Sequence, residues 1–213
     1  MSAARAKSKA GRFIVVDGPD GVGKSTQVQL LVEQLDMRGV HTLSLREPGG
    51  TTAGEIIRSL LLEKRQEKLT SVAEAFLFQA ARAQLVAEVI RPALARGTWV
   101  VCDRFTLSTL VYQGDAGHVS ARAIQQLSEL STGGLKPDLY LVLWAATTVC
   151  VGRRAEREAD RMESKGARFL RDVSGAYKRH AERGRGKYKL VDAAGPIEEV
   201  RARLWKHVER LLK

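Results

Sequence analysis

Residues Gly18-Pro19-Asp20-Gly21-Val22-Gly23-Lys24-Ser25 fit the pattern G-x-x-x-x-G-K-[ST], and no other stretch constrains this chain as tightly. The flanks agree with the motif. Phe13 to Val16 is an aromatic and β-branched run that reads as a buried strand, and Thr26 to Leu35 carries apolar residues at helical spacing. Strand, glycine loop and helix, in that order, build a cradle for phosphate. Gly18, Gly21 and Gly23 can take backbone angles closed to other residues, so their N–H groups can turn inward at the positive end of the following helix. Lys24 places an ammonium among the phosphates, and Ser25 offers a hydroxyl to Mg²⁺.

The 213 residues suffice for one α/β domain with a sizeable core. No apolar run approaches the ~20 residues of a membrane span. Met1 to Gly11 is small and basic and reads as a disordered tail, with no signal-peptide segment after it, so a cytoplasmic protein is expected. Cys102 and Cys150 read as buried free thiols, because a metal site needs more ligands at closer spacing. The formal charge of +11 favours anionic partners. No aromatic-interleaved basic patch or helix-turn-helix pattern stands out, so nucleic acid is not expected as the main ligand.

Downstream, His41 to Leu45 reads as a second strand, followed by Arg46-Glu47-Pro48-Gly49-Gly50-Thr51. Pro-Gly-Gly marks a turn, so a charged pair is held just after a strand, at the edge where α/β sheets bind ligands. Ala53 to Leu62 reads as a helix carrying Arg58, and Ser71 to Leu94 as a long one. On the long helix Glu74, Phe78 and Arg82 share a face. Spacing alone favours a plain structural reading, with Phe78 in the core and Arg82 paired to Glu74. Trp99 to Cys102 is a third strand with Asp103-Arg104 at its end. That acid and that arginine could hold Mg²⁺ and clamp a phosphate, or pair with each other. Phe105 to Gln113 reads as a short helix and Val119 to Ser131 as another; Asp138 to Trp144 is a fourth strand. Thr147 to Arg157 is a helix running into a charge-dense segment, read either as a solvated face or as a lid over a phosphate. Phe169 to Arg183 is helical, Tyr188 to Val191 a fifth strand and Ile197 to Leu212 a final helix. Strands alternating with helices imply an α/β fold with a parallel, helix-covered sheet.

From about Phe13 to Leu212 the chain resembles the thymidylate (dTMP) kinases, of the bacterial type. The resemblance rests on Gly18 to Thr26, on Arg46 to Thr51 with Arg58, and on Phe78 to Arg82. Asp103-Arg104 with Ser108 and Tyr112-Gln113 adds to it, as does Asp160-Arg161. It implies a P-loop nucleoside monophosphate kinase fold spanning 12–213, with five parallel strands, helices on both faces and a lid near 153–164. It implies a homodimer and transfer of the ATP γ-phosphoryl group to dTMP, with Mg²⁺, giving dTDP and ADP. ATP phosphates would fall to Gly18, Asp20, Gly21, Gly23, Lys24, Ser25 and Thr26. Phe78 would stack on thymine and Arg82 bond the base edge. Arg58 and Arg104 would bind the dTMP phosphate, with Ser108 and Gln113 toward the base and Tyr112 near the sugar. Asp17 and Asp103 would lie near sugar, phosphate and metal. The metal would sit at Ser25 and Asp103, and catalysis would rest on Lys24, Arg104, Asp20 and a lid arginine.

Elementary chemistry supports that assignment. A phosphate monoester is already anionic at neutral pH, with its second pKa near ~6, so no general base is needed. Transfer between two polyanions needs positioning and positive charge. The phosphate loop contains no arginine, so the resemblance implies that the catalytic arginine comes from the lid, among Arg153, Arg154 and Arg157, with Arg157 the one expected. Phe105, Val111 and Gln79 depart from the family pattern, and Val111 adds bulk close to the pocket.

Overall fold

A computed structural model describes residues 10–212 apart from 65, 67, 155–159 and 185. The basic tail therefore lies almost wholly outside the described residues. Gly11 is inside them, with its N–H donated to the Leu94 carbonyl at 2.9 Å.

Five strands form one parallel sheet: β1 (Phe13–Asp17), β2 (Thr42–Arg46), β3 (Trp99–Asp103), β4 (Leu139–Trp144) and β5 (Tyr188–Asp192), in the order β2-β3-β1-β4-β5. The chain leaves β1 toward one edge and later returns past it to the other. A crevice therefore forms at the C-terminal end of β1, where ligands of such sheets bind. Val16 pairs with Asp103 and Arg46 with Asp103, so Asp17, Arg46 and Asp103 all end at that edge.

The helices are α1 (Lys24–Asp36), α2 (Thr52–Leu62), α3 (Ser71–Leu85), α4 (Arg91–Ala95), α5 (Thr106–Thr109), α6 (Ala121–Thr132), α7 (Thr147–Arg154), α8 (Ala167–Arg183) and α9 (Ile197–Val208). The long helix expected from Ser71 is continuous but not uniformly α: Val86–Ile90 is a π turn joining α3 to α4. The short helix after Arg104 likewise passes from α5 into a π segment, Leu110–Asp115, and runs two residues past its expected end. Local signals set the other boundaries. The Thr51 hydroxyl accepts from the Gly54 N–H at 3.0 Å and caps α2; Gly133, at φ 54, closes α6.

Every residue of β1 is buried, because both faces of the sheet are covered. Phe13 and Val15 face a core shared with α3, the π turn, Tyr112 and α8. Ile14 and Val16 face the other core, with Val28, Leu31 and Leu35 of α1 and Val200 and Leu204 of α9. Alternation of side chains along one strand thus feeds two cores. Cys102 and Cys150 are free and buried.

Candidate active site

A cleft of about 620 Å³ opens over the C-terminal ends of β1 and β3. One wall is the glycine loop, here called the P-loop. Gly18 has φ 145, and a Cβ there would meet the Leu143 carbonyl oxygen at 2.3 Å, so only glycine lets the loop leave the sheet at this point. Gly23, at φ 99, is the left-handed N-cap of α1, which starts at Lys24 rather than Thr26. The first amides of α1 have no partner within the helix and lie at its positive end. Asp20, Gly21, Gly23, Lys24, Ser25 and Thr26 line the cleft, and Gly18 does not.

Lys24 is buried, with Nζ donating to the Pro19 carbonyl at 3.0 Å and lying 3.9 Å from Asp20 Oδ1. Burial and then the Arg104 charge push the Lys24 pKa down, while Asp20, Asp103 and Asp17 pull it up. An arriving phosphate anion supplies what the ammonium lacks. Ser25 Oγ donates to Asp103 Oδ2 at 3.0 Å, whereas Asp103 Oδ1 is buried with no hydrogen-bond partner. Asp17 Oδ2 is in the same condition. Buried carboxylate oxygens without partners are costly, and a hydroxyl with hard oxygens suits Mg²⁺. The donor set therefore fits the metal that the sequence implies.

Arg104 links the P-loop to the opposite wall. Its backbone sits at φ 72, a left-handed angle that costs a non-glycine residue about 1–3 kcal/mol and that clusters at functional sites. Nη2 donates to Asp20 Oδ1, and Nη1 donates to Ser108 Oγ and Tyr177 OH, each at 3.0 Å. Tyr112 OH donates to Asp20 Oδ2 at 2.6 Å. Burial raises the Asp20 pKa, but Arg104, Lys24 and the Tyr112 bond outweigh it and hold the carboxyl well below the usual carboxylate range. Asp17, fully buried, accepts at Oδ1 from the Gly18 N–H, Ser108 Oγ and Tyr177 OH. It stands behind the cleft as a support for Ser108 and Tyr177. Tyr177 escaped sequence reasoning because it lies 73 residues beyond Arg104, on α8, with no local motif to mark it.

Phe78 is half-buried and lines the cleft, together with Arg58, whose Nη1 donates to the Pro48 carbonyl at 2.8 Å. Burial, and next the charge of Arg46, disfavour the Arg58 cation, a cost that any arriving anion would offset. Arg82 is buried behind this wall. Its Nε and Nη2 donate to Glu47 Oε2 at 2.8 and 2.6 Å, and its Nη1 to Gln79 Oε1 and Thr109 Oγ1. The expected Arg82–Glu74 pair does not form. Eight residues of helix separate the two by about 12 Å. Glu74 instead binds Arg161 at 2.8 Å and Lys165 at 2.7 Å. In the sequence Glu47 stands out only as half of a charged pair; its tie to Arg82 comes from the fold. Gln113, Ser108 and Tyr112 line the cleft.

Asp160 completes the rim. Arg153 Nη1 donates to the carbonyls of Val22 and Ala193 and Nη2 to that of Gly195, which holds this guanidinium beside the P-loop. Arg157 lies outside the described residues.

The thymidylate kinase family model matches residues 16–204. A thymidylate kinase of Afipia carboxidovorans is 42% identical over 99% of this chain and 94% of its own length. One of Pseudomonas savastanoi pv. phaseolicola is 45% identical over 95% and 97%, and one of Symbiobacterium thermophilum 42% over 94% and 94%. A parallel five-stranded sheet, a P-loop facing an arginine-lined wall, and these full-length matches converge: the chain belongs to the thymidylate kinase family.

Proposed function

We propose that the protein transfers the γ-phosphoryl group of ATP to dTMP, giving dTDP and ADP. One observation carries the reading: Lys24 of the P-loop and Arg104 of the acceptor wall flank a single carboxylate, Asp20. Two cation sets therefore converge to within one anionic group of each other, which is what transfer between two phosphates requires.

ATP lies along the P-loop with its terminal phosphates at Lys24. Ser25 and Asp103 would hold Mg²⁺, which would supply positive charge to the phosphate oxygens. On the other side dTMP stacks on Phe78, with its phosphate at Arg58 and Arg104 and its base edge toward Gln113. The Ser108, Tyr177 and Asp17 bonds orient Arg104. Arg82, buried behind the cleft and tied to Glu47, Gln79 and Thr109, braces the base side of this wall. Arg157 supplies charge over the transferring group, while Arg153, which also lines the cleft, is held beside the P-loop by three carbonyls.

The active form is a homodimer. Ile56 on α2 and Val72 and Phe76 on α3 are each more than half exposed and form an apolar face that a second copy would cover. Sedimentation at twice the 23.4 kDa chain mass is expected, and a monomer would remove this part of the reading. No helix among the described residues is long and apolar enough to cross a membrane, in keeping with a cytoplasmic location. The deciding assay is ADP release with ATP and Mg²⁺ against dTMP, dUMP, dGMP, dCMP and no acceptor. Turnover should be highest with dTMP; a preference for a purine monophosphate would discard the base pocket but keep the P-loop.

A further inference from the structure

Glu74 has no exposed surface and belongs to neither the ATP nor the phosphate-binding set, yet four segments meet on it. Its Oε1 accepts from Arg161 Nη1 at 2.8 Å and Lys165 Nζ at 2.7 Å; its Oε2 accepts from Lys165 Nζ at 2.8 Å and Gln113 Nε2 at 3.0 Å. Arg161 is itself fixed to the end of α2, through Nε to the Leu61 carbonyl and its N–H to the Leu62 carbonyl. Lys165 also lies over the Phe169 ring, 5.1 Å from its centroid.

This arrangement has a chemical consequence for Gln113. A primary amide can present either its NH₂ or its carbonyl to a neighbour. A carboxylate paired with two cations is acceptor-only, so it forces the NH₂ end of Gln113 toward Glu74. Although burial works against it, the bonds from Lys165 and Gln113, the Lys165 charge and the Arg161 bond lower the Glu74 pKa, keeping it ionised at neutral pH. The Gln113 side chain lines the cleft, and its Oε1 accepts no hydrogen bond from any described residue. With Nε2 bound to Glu74 through one of its two N–H groups, the free acceptor that Gln113 offers a base is its carbonyl oxygen.

We propose that Glu74 is a positioning residue for base selectivity: by orienting the Gln113 amide, it makes the pocket accept a base edge that carries an imide N–H and reject one that presents a ring-nitrogen acceptor there. Thymine and uracil have the first kind of edge and cytosine the second. The inference rests on the reading above that Gln113 faces the base. A site built to pair with a donor discriminates strongly against an analogue that lacks it, because the buried acceptor is left unpaired.

The test compares kcat and KM for dTMP and dCMP in wild type, Glu74→Gln and Gln113→Ala. Glu74→Gln frees the amide pair to turn over. Its kcat/KM preference for dTMP over dCMP should fall about tenfold or more, mainly through KM for dTMP, with KM for ATP unchanged. Because Glu74→Gln leaves two part-buried cations unpaired and could lose the fold, Glu74→Gln/Lys165→Met is measured beside it. That double variant keeps the net charge of the cluster and should show the same loss of preference. If Gln113→Ala erodes the preference and both Glu74 variants keep it, Glu74 is merely structural and the proposal is overturned. If all three variants keep it, the assignment of Gln113 to the base fails first, and the proposal falls with it.

Discussion

The two walls of the cleft are built in opposite ways. The nucleotide wall is one contiguous stretch: Gly18 to Thr26 brings its own glycines, ammonium and hydroxyl, and β1 and α1 set its geometry. The opposite wall is assembled from five places: the turn at Glu47 and Pro48, Arg58 on α2, Phe78 on α3 with Arg82 buried behind it, the segment from Arg104 to Gln113, and Asp160. A local motif works through backbone amides and needs little from the rest of the chain. A distributed wall works through side chains that other side chains hold. Arg104 leans on Ser108, Tyr177 and Asp20, and Arg82 on Glu47, Gln79 and Thr109. Removing part of the first wall should therefore abolish chemistry, and removing part of the second should degrade affinity and selectivity.

The largest effect expected is that of Lys24→Ala. Loss of the only P-loop ammonium should lower kcat/KM for ATP by about 10³-fold. Steady-state kinetics decide it, and a loss below tenfold would mean that the amides of α1 and the metal carry the charge stabilisation alone. Next comes Arg157→Ala, expected to cut kcat by about 10²-fold with KM for both substrates nearly unchanged, the pattern of a group that acts only in the transition state. A larger kcat loss in Arg153→Ala would move the catalytic role to an arginine whose three carbonyl contacts here look structural.

Phe78→Ala tests the distributed wall directly. Losing one stacking partner is worth about 1–3 kcal/mol, so KM for dTMP should rise about tenfold while KM for ATP stays constant. Equal changes for both substrates would show that the two walls are not separable. The last effect, on stability and not on turnover, concerns Asp20, which joins them. Its carboxyl titrates lower in the folded protein than in the unfolded chain, so its stabilisation is complete above the ordinary carboxylate pKa near ~4 and fades as pH falls below it. Wild type should exceed Asp20→Asn by about 1–3 kcal/mol in urea melts at pH 7, with the gap narrowing below pH 4. A gap that is constant with pH would mean that the Tyr112 contact, not the charge, provides the stability.

Much of the architecture was open to reading because its signals are local. Apolar runs of four to six residues between turn signals located all five strands, and periodicity located the main helices, with most boundaries off by one or two residues. The π turns at Val86–Ile90 and Leu110–Asp115 were not visible, since they answer to packing and not to residue preference. Sequence spacing put Glu74 and Arg82 on one face but could not choose their partners, which lie at Arg161, Lys165 and Glu47. Partner choice depends on which segments cross, and those contacts span tens of residues.

By itself, the sequence determined that this chain binds nucleotide phosphates on a P-loop within a parallel α/β sheet, because a glycine loop between a strand and a helix carries its whole mechanism in adjacent residues. Its order of motifs also determined the family. Only the tertiary structure decided that Asp20 stands between Lys24 and Arg104, that Tyr177 bonds Arg104, and that the Gln113 amide donates to Glu74. The reason is physical: a buried charge is tolerated only where partners meet it, and the fold alone brings partners from distant parts of the chain to one point.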